Sequence, residues 1–258
     1  KVEEYYVLAS DSTKLSTVLI EPKIKDEELH ILHFLGSSQK YELVLPELIS
    51  LSNENKCKVI TFNYRGVEKS TGIAKNLYDL FYDGLAQVEQ LIQSGVAPRD
   101  IILSGFSLGG GIATKVAHHY HKLGERIYLF NDRSFGKLSK VAGAWYGNMF
   151  QFILEKILKK FDWDLEVDKL YLQIPEKYRR HINLAGDDDE VVPFYVSLSQ
   201  SIEDLKHKVS EEYIFHCIAE FKKKGHKAPL DKIINKYGDS GGKILKRFIS
   251  EIKQQITK

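Results

Sequence analysis

The sequence predicts an α/β fold, a mostly parallel central sheet with helices on both faces. Short, nearly continuous apolar runs, such as residues 31–35, 58–62 and 101–103, read as strands buried on both faces. Between them lie longer segments with apolar residues at helical spacing, of which residues 77–94 are the clearest. The two kinds of segment alternate along the chain, which is the pattern of parallel strands joined by crossover helices.

In order, residues 5–9 and 15–20 form two strands joined by the polar turn Ser10-Asp11-Ser12-Thr13, a hairpin near a sheet edge. The strand at 31–35 runs into Gly36-Ser37-Ser38, and a helix over 43–51 leads to the buried strand at 58–62. A polar, glycine-bounded loop follows from Asn63 to Gly72. In the helix over 77–94, Leu80, Leu85, Val88, Leu91 and Ile92 fall on or near one face, and Pro98-Arg99-Asp100 ends the segment. The strand from Ile101 then enters Gly105-Phe106-Ser107-Leu108-Gly109, and Gly110-Gly111-Ile112-Ala113 opens a helix. Further strands are expected at 127–130, 180–185 and 212–219, the last of the sheet, with a closing helix over 244–256. No repeat, low-complexity tract or linker interrupts the pattern. The expectation is a single domain over 1–258, with a small helical cap or sheet-covering insertion at 145–165.

A chain of 258 residues can bury a full core in one domain, since single α/β domains run to about 250 residues. Its 43% apolar and 11% aromatic content are those of a folded globular chain. The 37 Lys and Arg exceed the 35 Asp and Glu by two, and a dedicated nucleic-acid binder needs a concentrated basic face. The lysine clusters at 156–160 and 222–224 read as solvated surface. No apolar run approaches the roughly 18 residues of a membrane span, and no signal sequence is visible. The expected location is cytoplasmic, or secreted without a visible signal peptide, with delivery into a host cell as an effector left open. Cys57 and Cys217 both sit in apolar runs and are expected as reduced core thiols. No residues have metal-ligand spacing, and no cofactor is expected.

Ser107 stands at the apex of a strand–turn–helix, where a sharp turn pushes its hydroxyl out at the top of the sheet. Small residues two positions before and after it make that turn sterically possible. In open α/β sheets the chemistry gathers beyond the carboxyl ends of the strands. Gly36-Ser37, Asn63 to Arg65, Ser107, Asn131 to Arg133, Asp189 and His226 all fall at such ends. A serine hydroxyl needs a base within hydrogen-bond reach, and the base needs a group that fixes its tautomer. Of nine histidines, His226 is the best base, because it follows Gly225 in a polar loop after the final predicted strand. His118, His119 and His121 lie in the helix after the turn, His30, His33, His181 and His216 in or beside strands, and His207 in a charged helical stretch; these read as core or surface.

The elbow Gly105-Phe106-Ser107-Leu108-Gly109 is followed by an acid and then a histidine. Asn63-Tyr64-Arg65-Gly66-x-x-Lys69-Ser70-x-Gly72 and Gly186-x-x-Asp189-x-x-Val192-Pro193 accompany it. With these the chain, from about residue 5 to residue 256, resembles the α/β-hydrolase superfamily, in its serine-aminopeptidase-like and monoacylglycerol-lipase-like branches. The resemblance implies the α/β-hydrolase fold, with Ser107 as nucleophile, His226 as base and Asp189, favoured over Asp188, as the acid. It implies no metal or cofactor, and backbone oxyanion donors at Leu108 and Ser37. The chain departs from the family at Leu35, where a histidine usually precedes the glycine. Asn131-Asp132-Arg133-Ser134-Phe135 is similar to a run in lipase-like relatives and, more faintly, in uncharacterised hydrolases of intracellular bacterial pathogens. Arg133 admits two readings, a bidentate grip on an anionic substrate group or a structural salt bridge in that turn.

Residues 149–161 are amphipathic, with Phe150, Ile153, Leu154, Ile157, Leu158 and Phe161 on one side and Lys156, Lys159 and Lys160 among the polar residues. A basic amphipathic helix over the site could dock on a lipid surface, with Phe150 in contact with substrate. The plainer expectation is a helix that buries its apolar face in its own domain. The function expected is a serine hydrolase that cleaves an ester or thioester through an acyl-enzyme. A lipid or acyl substrate is favoured over a peptide, because the cap is apolar and no carboxylate can be placed to grip a free amine. The alternatives are a ligand-binding protein that kept the fold without turnover and, within enzymes, a peptidase.

Overall fold

The computed structural model describes residues 1–24 and 29–256, apart from the side chains of residues 148–151. It comprises two compact units, residues 1–130 and 131–258.

In the first unit β1 (Val2–Leu8) and β2 (Lys14–Ile20) form the predicted antiparallel hairpin, in the register Val2↔Ile20 to Leu8↔Lys14. β2 pairs antiparallel with β4 (Lys58–Phe62), and β3 (His30–Phe34) pairs parallel with both β4 and β5 (Ile101–Phe106). The order β1-β2-β4-β3-β5 follows. From β3 the chain leaves through α1 (Tyr41–Asn55) towards β4; from β5 it leaves through α3 (Leu108–Lys122) away from β3. That reversal makes the crevice at the carboxyl ends of β3 and β5 a topological switch point, where open α/β sheets bind ligands. β5 is buried along its whole length, as its apolar run requires.

α2 (Leu77–Gln93) starts on a capping box between Asn76 and Asp79. It carries Asp83 into the interior, where the carboxylate meets Arg65 from the loop after β4, Nη2 to Oδ1 at 2.7 Å. The Arg65 Nε also donates to Asp83, and Nη1 donates to Asp11. Burial pushes the Asp83 carboxyl up, against the pull of the guanidinium. A buried pair of this kind costs about 3–5 kcal/mol when one partner is removed. The Asn63–Gly72 loop that resembles a family motif is thus a structural clamp.

β6 (Tyr128–Asp132) carries the chain out of the first unit. The second unit continues with α4 (Leu138–Tyr146), α5 (Asn148–Lys160), α6 (Val167–Gln173), β7 (Arg179–Leu184), α7 (Leu198–Asp204), β8 (Ile214–Cys217), β9 (Ile233–Asn235) and α8 (Gly241–Ile256). β7 and β8 are parallel, and β9 runs antiparallel to β8. The sequence placed the last strand at 212–219. The strand observed there is shorter, and β9 follows it, a three-residue segment too brief to register as an apolar run. α8 buries Ile244, Leu245, Phe248, Ile249 and Ile252, one stripe at helical spacing. The predicted class is borne out: β3, β4 and β5 run parallel, as do β7 and β8, and antiparallel strand pairing among the described residues falls at β1–β2, β2–β4 and β8–β9.

α5 packs on α4. Its expected burial occurs only in part: Leu154 and Leu158 are half-buried, while Phe152, Ile153 and Ile157, with Phe161 just beyond the helix, are exposed. The Phe150 side chain lies outside the described residues. Cys57 is a buried thiol that donates to the Asn55 carbonyl at 3.2 Å, and Cys217 is a half-buried thiol. Among the described residues no helix is long and apolar enough to cross a membrane.

Candidate active site

In the first unit β5 delivers Ser107 in the conformation φ 53°, ψ −118°, a left-handed φ unusual for a side chain with a Cβ. The flanking glycines explain how such a turn fits. A Cβ on Gly105 would stand 2.4 Å from the Gly109 carbonyl oxygen, and one on Gly109 would stand 2.2 Å from the carbonyl oxygen of Phe34. The first turn of α3 therefore lies directly against the end of β3. On the loop leaving β3, a Cβ on Gly36 would come within 2.8 Å of the Phe106 ring. Ser37 follows on that loop, and Leu108 is the first residue of α3, so its N–H belongs to the turn that has no intrahelical acceptor. Two backbone amides expected as oxyanion donors thus border one switch-point crevice.

In the second unit Asp189 and His226 are brought together. His226 Nδ1 lies 2.9 Å from Asp189 Oδ2, and both side chains are buried. The other carboxylate oxygen of Asp189 accepts the N–H groups of Val191 (2.9 Å) and Val192 (2.7 Å). A carboxylate held this way is aimed at the imidazole and fixes its proton on Nδ1, leaving Nε2 as the acceptor. Asp188 points elsewhere. Its carboxylate accepts the Cys217 N–H at 3.1 Å and lies 3.3 Å from His216 Nδ1. Burial, and then the charge of Asp188, push the Cys217 thiol up to about 11, which keeps it protonated and unreactive.

Arg133 does not present a free fork to an anionic substrate. It is 4% exposed; Nε donates to Asp132 Oδ1 at 2.7 Å and Nη2 to Asp132 Oδ2 at 2.9 Å. Nη1 donates to the carbonyls of Gly225 (3.1 Å) and Ala228 (2.6 Å). The substrate-binding expectation for Arg133 is corrected on this ground, and the salt-bridge alternative is the one observed. Burial would lower the guanidinium pKa, but the Asp132 charge and hydrogen bonds raise it overall.

No protein-family model and no curated protein matches the chain. Solved structures do. An α/β-hydrolase of Vibrio vulnificus matches with a TM-score of 0.62 at 18% identity, over 99% of this chain and 80% of that one. An α/β serine hydrolase homologue of Coxiella burnetii gives 0.55 at 17% identity, over 98% of this chain and 96% of that one. An esterase of Pyrobaculum calidifontis gives 0.59 at 12% identity, over 99% and 85%. The chain has the α/β-hydrolase fold.

In an α/β-hydrolase fold Ser107 occupies the turn after a central strand, and Asp189 and His226 follow β7 and β8. Two neighbours of this pair, Glu190 and Trp145, were not read from the sequence, and Arg133 was named there without this contact. Glu190 accepts the backbone N–H of His226 at 3.2 Å. Trp145, at the end of α4, donates its indole N–H to the Val191 carbonyl at 2.8 Å. Arg133 reaches the two carbonyls beside His226. Glu190 and Trp145 have no motif of their own, because each acts through a backbone group, and the run that contains Arg133 does not reveal its carbonyl partners, which are distant in sequence. A cavity of about 930 Å³ lies at the opposite, amino ends of β7 and β8, lined among others by Tyr171, Arg179, His181, His207, Tyr213 and Tyr237.

Proposed function

We propose that this protein is a serine hydrolase that cleaves an ester or thioester through an acyl-enzyme. The observation that carries the reading is the buried Asp189–His226 hydrogen bond, which orients the imidazole and places its proton on Nδ1 so that Nε2 serves as the base. In this mechanism Nε2 takes the Ser107 proton as Oγ attacks the acyl carbon. The N–H groups of Leu108 and Ser37 stabilise the oxyanion, each contributing about 3 kcal/mol. His226 then gives its proton to the leaving alcohol or thiol. Water repeats the sequence on the acyl-enzyme and restores the serine. Asp189 orients the imidazole and stabilises the imidazolium.

The esterases and hydrolases with the same fold support this reaction class. A lipid or acyl substrate is favoured by the exposed apolar side chains of α5 beside Lys156, Lys159 and Lys160, a composition suited to peripheral contact with a lipid surface. Phe150 remains a proposed substrate contact on that helix. A fluorophosphonate probe tests the reading. The folded protein should be labelled, and Ser107→Ala should abolish labelling. A folded wild type that takes no label, or a Ser107→Ala variant that still does, overturns it.

A further inference from the structure

His226 sits in a short turn, Gly225–Lys227, within the irregular loop that connects β8 to β9. A general base must nevertheless be held within about 0.5 Å of its working position. Backbone tethers supply the restraint. Gly225 N–H donates to the Asp188 carbonyl at 2.8 Å, and His226 N–H donates to the Glu190 carboxylate. The two carbonyls that bracket His226, those of Gly225 and Ala228, both accept from one nitrogen of Arg133. The guanidinium is itself fixed in plane by the two oxygens of Asp132.

We infer that Arg133 is a positioning residue for His226, a buried clamp that fixes the imidazole by holding the peptide carbonyls on either side of it. This rests on the reading of His226 as the base. The residue types fit the task. Only a planar fork can meet a carboxylate along one edge and two carbonyls with its remaining amino group, which an ammonium on a flexible stem does not reproduce. Asp132 balances the charge, so the clamp adds no net charge beside the imidazole. The backbone is committed to the same end. Arg133 adopts φ +49°, and its N–H donates to Ile182 of β7 at 2.8 Å, which turns the side chain back over the loops that follow β7 and β8. Gly225 completes the fit, since a Cβ there would stand 2.1 Å from Cys217 Sγ and 2.6 Å from the Asp188 carbonyl oxygen.

The test uses the full chain with Arg133→Lys, Arg133→Gln and Asp132→Asn, each of which retains polar atoms in the buried site so that folding can be compared by thermal melting. At temperatures well below each melting transition, Arg133→Lys and Arg133→Gln should lower kcat on a short nitrophenyl ester by about 10–100-fold. KM should stay within a factor of about three, because the clamp touches no substrate. Asp132→Asn, which loosens the plane but keeps both carbonyl contacts, should give a smaller loss of kcat in the same direction. The low-field proton resonance of the His226 Nδ1–H, recorded in a Ser107→Ala background, should broaden or move in the Arg133 variants. A folded Arg133→Lys or Arg133→Gln protein with wild-type kcat and an unchanged resonance overturns the inference. So does a kcat loss that only tracks the unfolded fraction. A wild type that turns over no ester would sink the hydrolase reading instead, and the resonance would still report whether Arg133 holds His226.

Discussion

Asp189 and Asp188 are adjacent in the chain and differ in what their carboxylates face. Asp189 receives two backbone amides and the His226 imidazole; Asp188 receives the Cys217 amide. Asp189→Asn should therefore lower kcat by about 10³–10⁴-fold, the cost of losing the correct imidazole tautomer in a triad. Asp188→Asn should leave kcat within a few-fold of wild type while lowering the melting temperature. Paired kinetics and thermal melts check both, and a reversal of the two results would move the acid to Asp188. The sequence supplied this assignment because the spacing from Gly186 to Asp189 and on to Val192-Pro193 is local. Arg133 was harder to read. Its carbonyl partners lie 92 and 95 residues away, and no local pattern announces a guanidinium whose acceptors are main-chain atoms.

At the scale of elements, β7 carries a histidine that the sequence placed at its start and assigned to core or surface. His181 is buried, its Nδ1 lies 2.8 Å from the Tyr171 hydroxyl of α6, and its Nε2 finds no hydrogen-bond partner. Burial, followed by the charges of Arg179 and Arg180, lowers its pKa from 6.5 to about 3. The folded chain refuses a proton that the unfolded chain binds, so stability rises with pH through this window. The contribution is complete above the unfolded value near 6.5 and is lost as pH falls towards the folded value, at up to about 1.4 kcal/mol per pH unit. His181→Phe should flatten the fall of urea-denaturation free energy between pH 6.5 and pH 5, when compared with wild type. An unchanged slope would place the acid sensitivity elsewhere. Strand and helix existence was legible wherever a run was long or periodic, as for β4, α2 and α8. β9 was not, because three residues paired to β8 owe their strand geometry to a neighbour and not to their own pattern.

Across the whole molecule the charges nearly cancel, with a formal net charge of +2, so long-range attraction to an anionic surface is weak and any membrane contact must come from a local patch. The fold class was legible because alternating strand and helix runs are a property of the entire chain. The exposure of α5 was not, since an amphipathic stripe looks the same whether it faces a core or solvent. In the structure Phe152 is 65% exposed and Phe161 58%, with Lys156 over the Phe152 ring at 4.2 Å. Lys159 is paired with Glu155, and the hydrogen bonds from Lys137 and Lys159 lower the Glu155 carboxyl to about 2. Of the three lysines, one is thus already answered by an acid, which limits the electrostatic share of binding. If α5 meets a lipid surface, apolar insertion should dominate. Co-sedimentation with anionic phospholipid vesicles should then be lost on replacing Phe152 and Ile153 with serine. Raising ionic strength from 0.1 M to 1 M shortens the Debye length from about 10 Å to about 3 Å and should weaken the wild type only a few-fold. Loss of wild-type binding at high salt, with the double variant unaffected, would mean that lysines alone hold the surface. Wild-type protein that never sediments with vesicles would remove the lipid surface from the proposal and leave a water-soluble ester as the substrate.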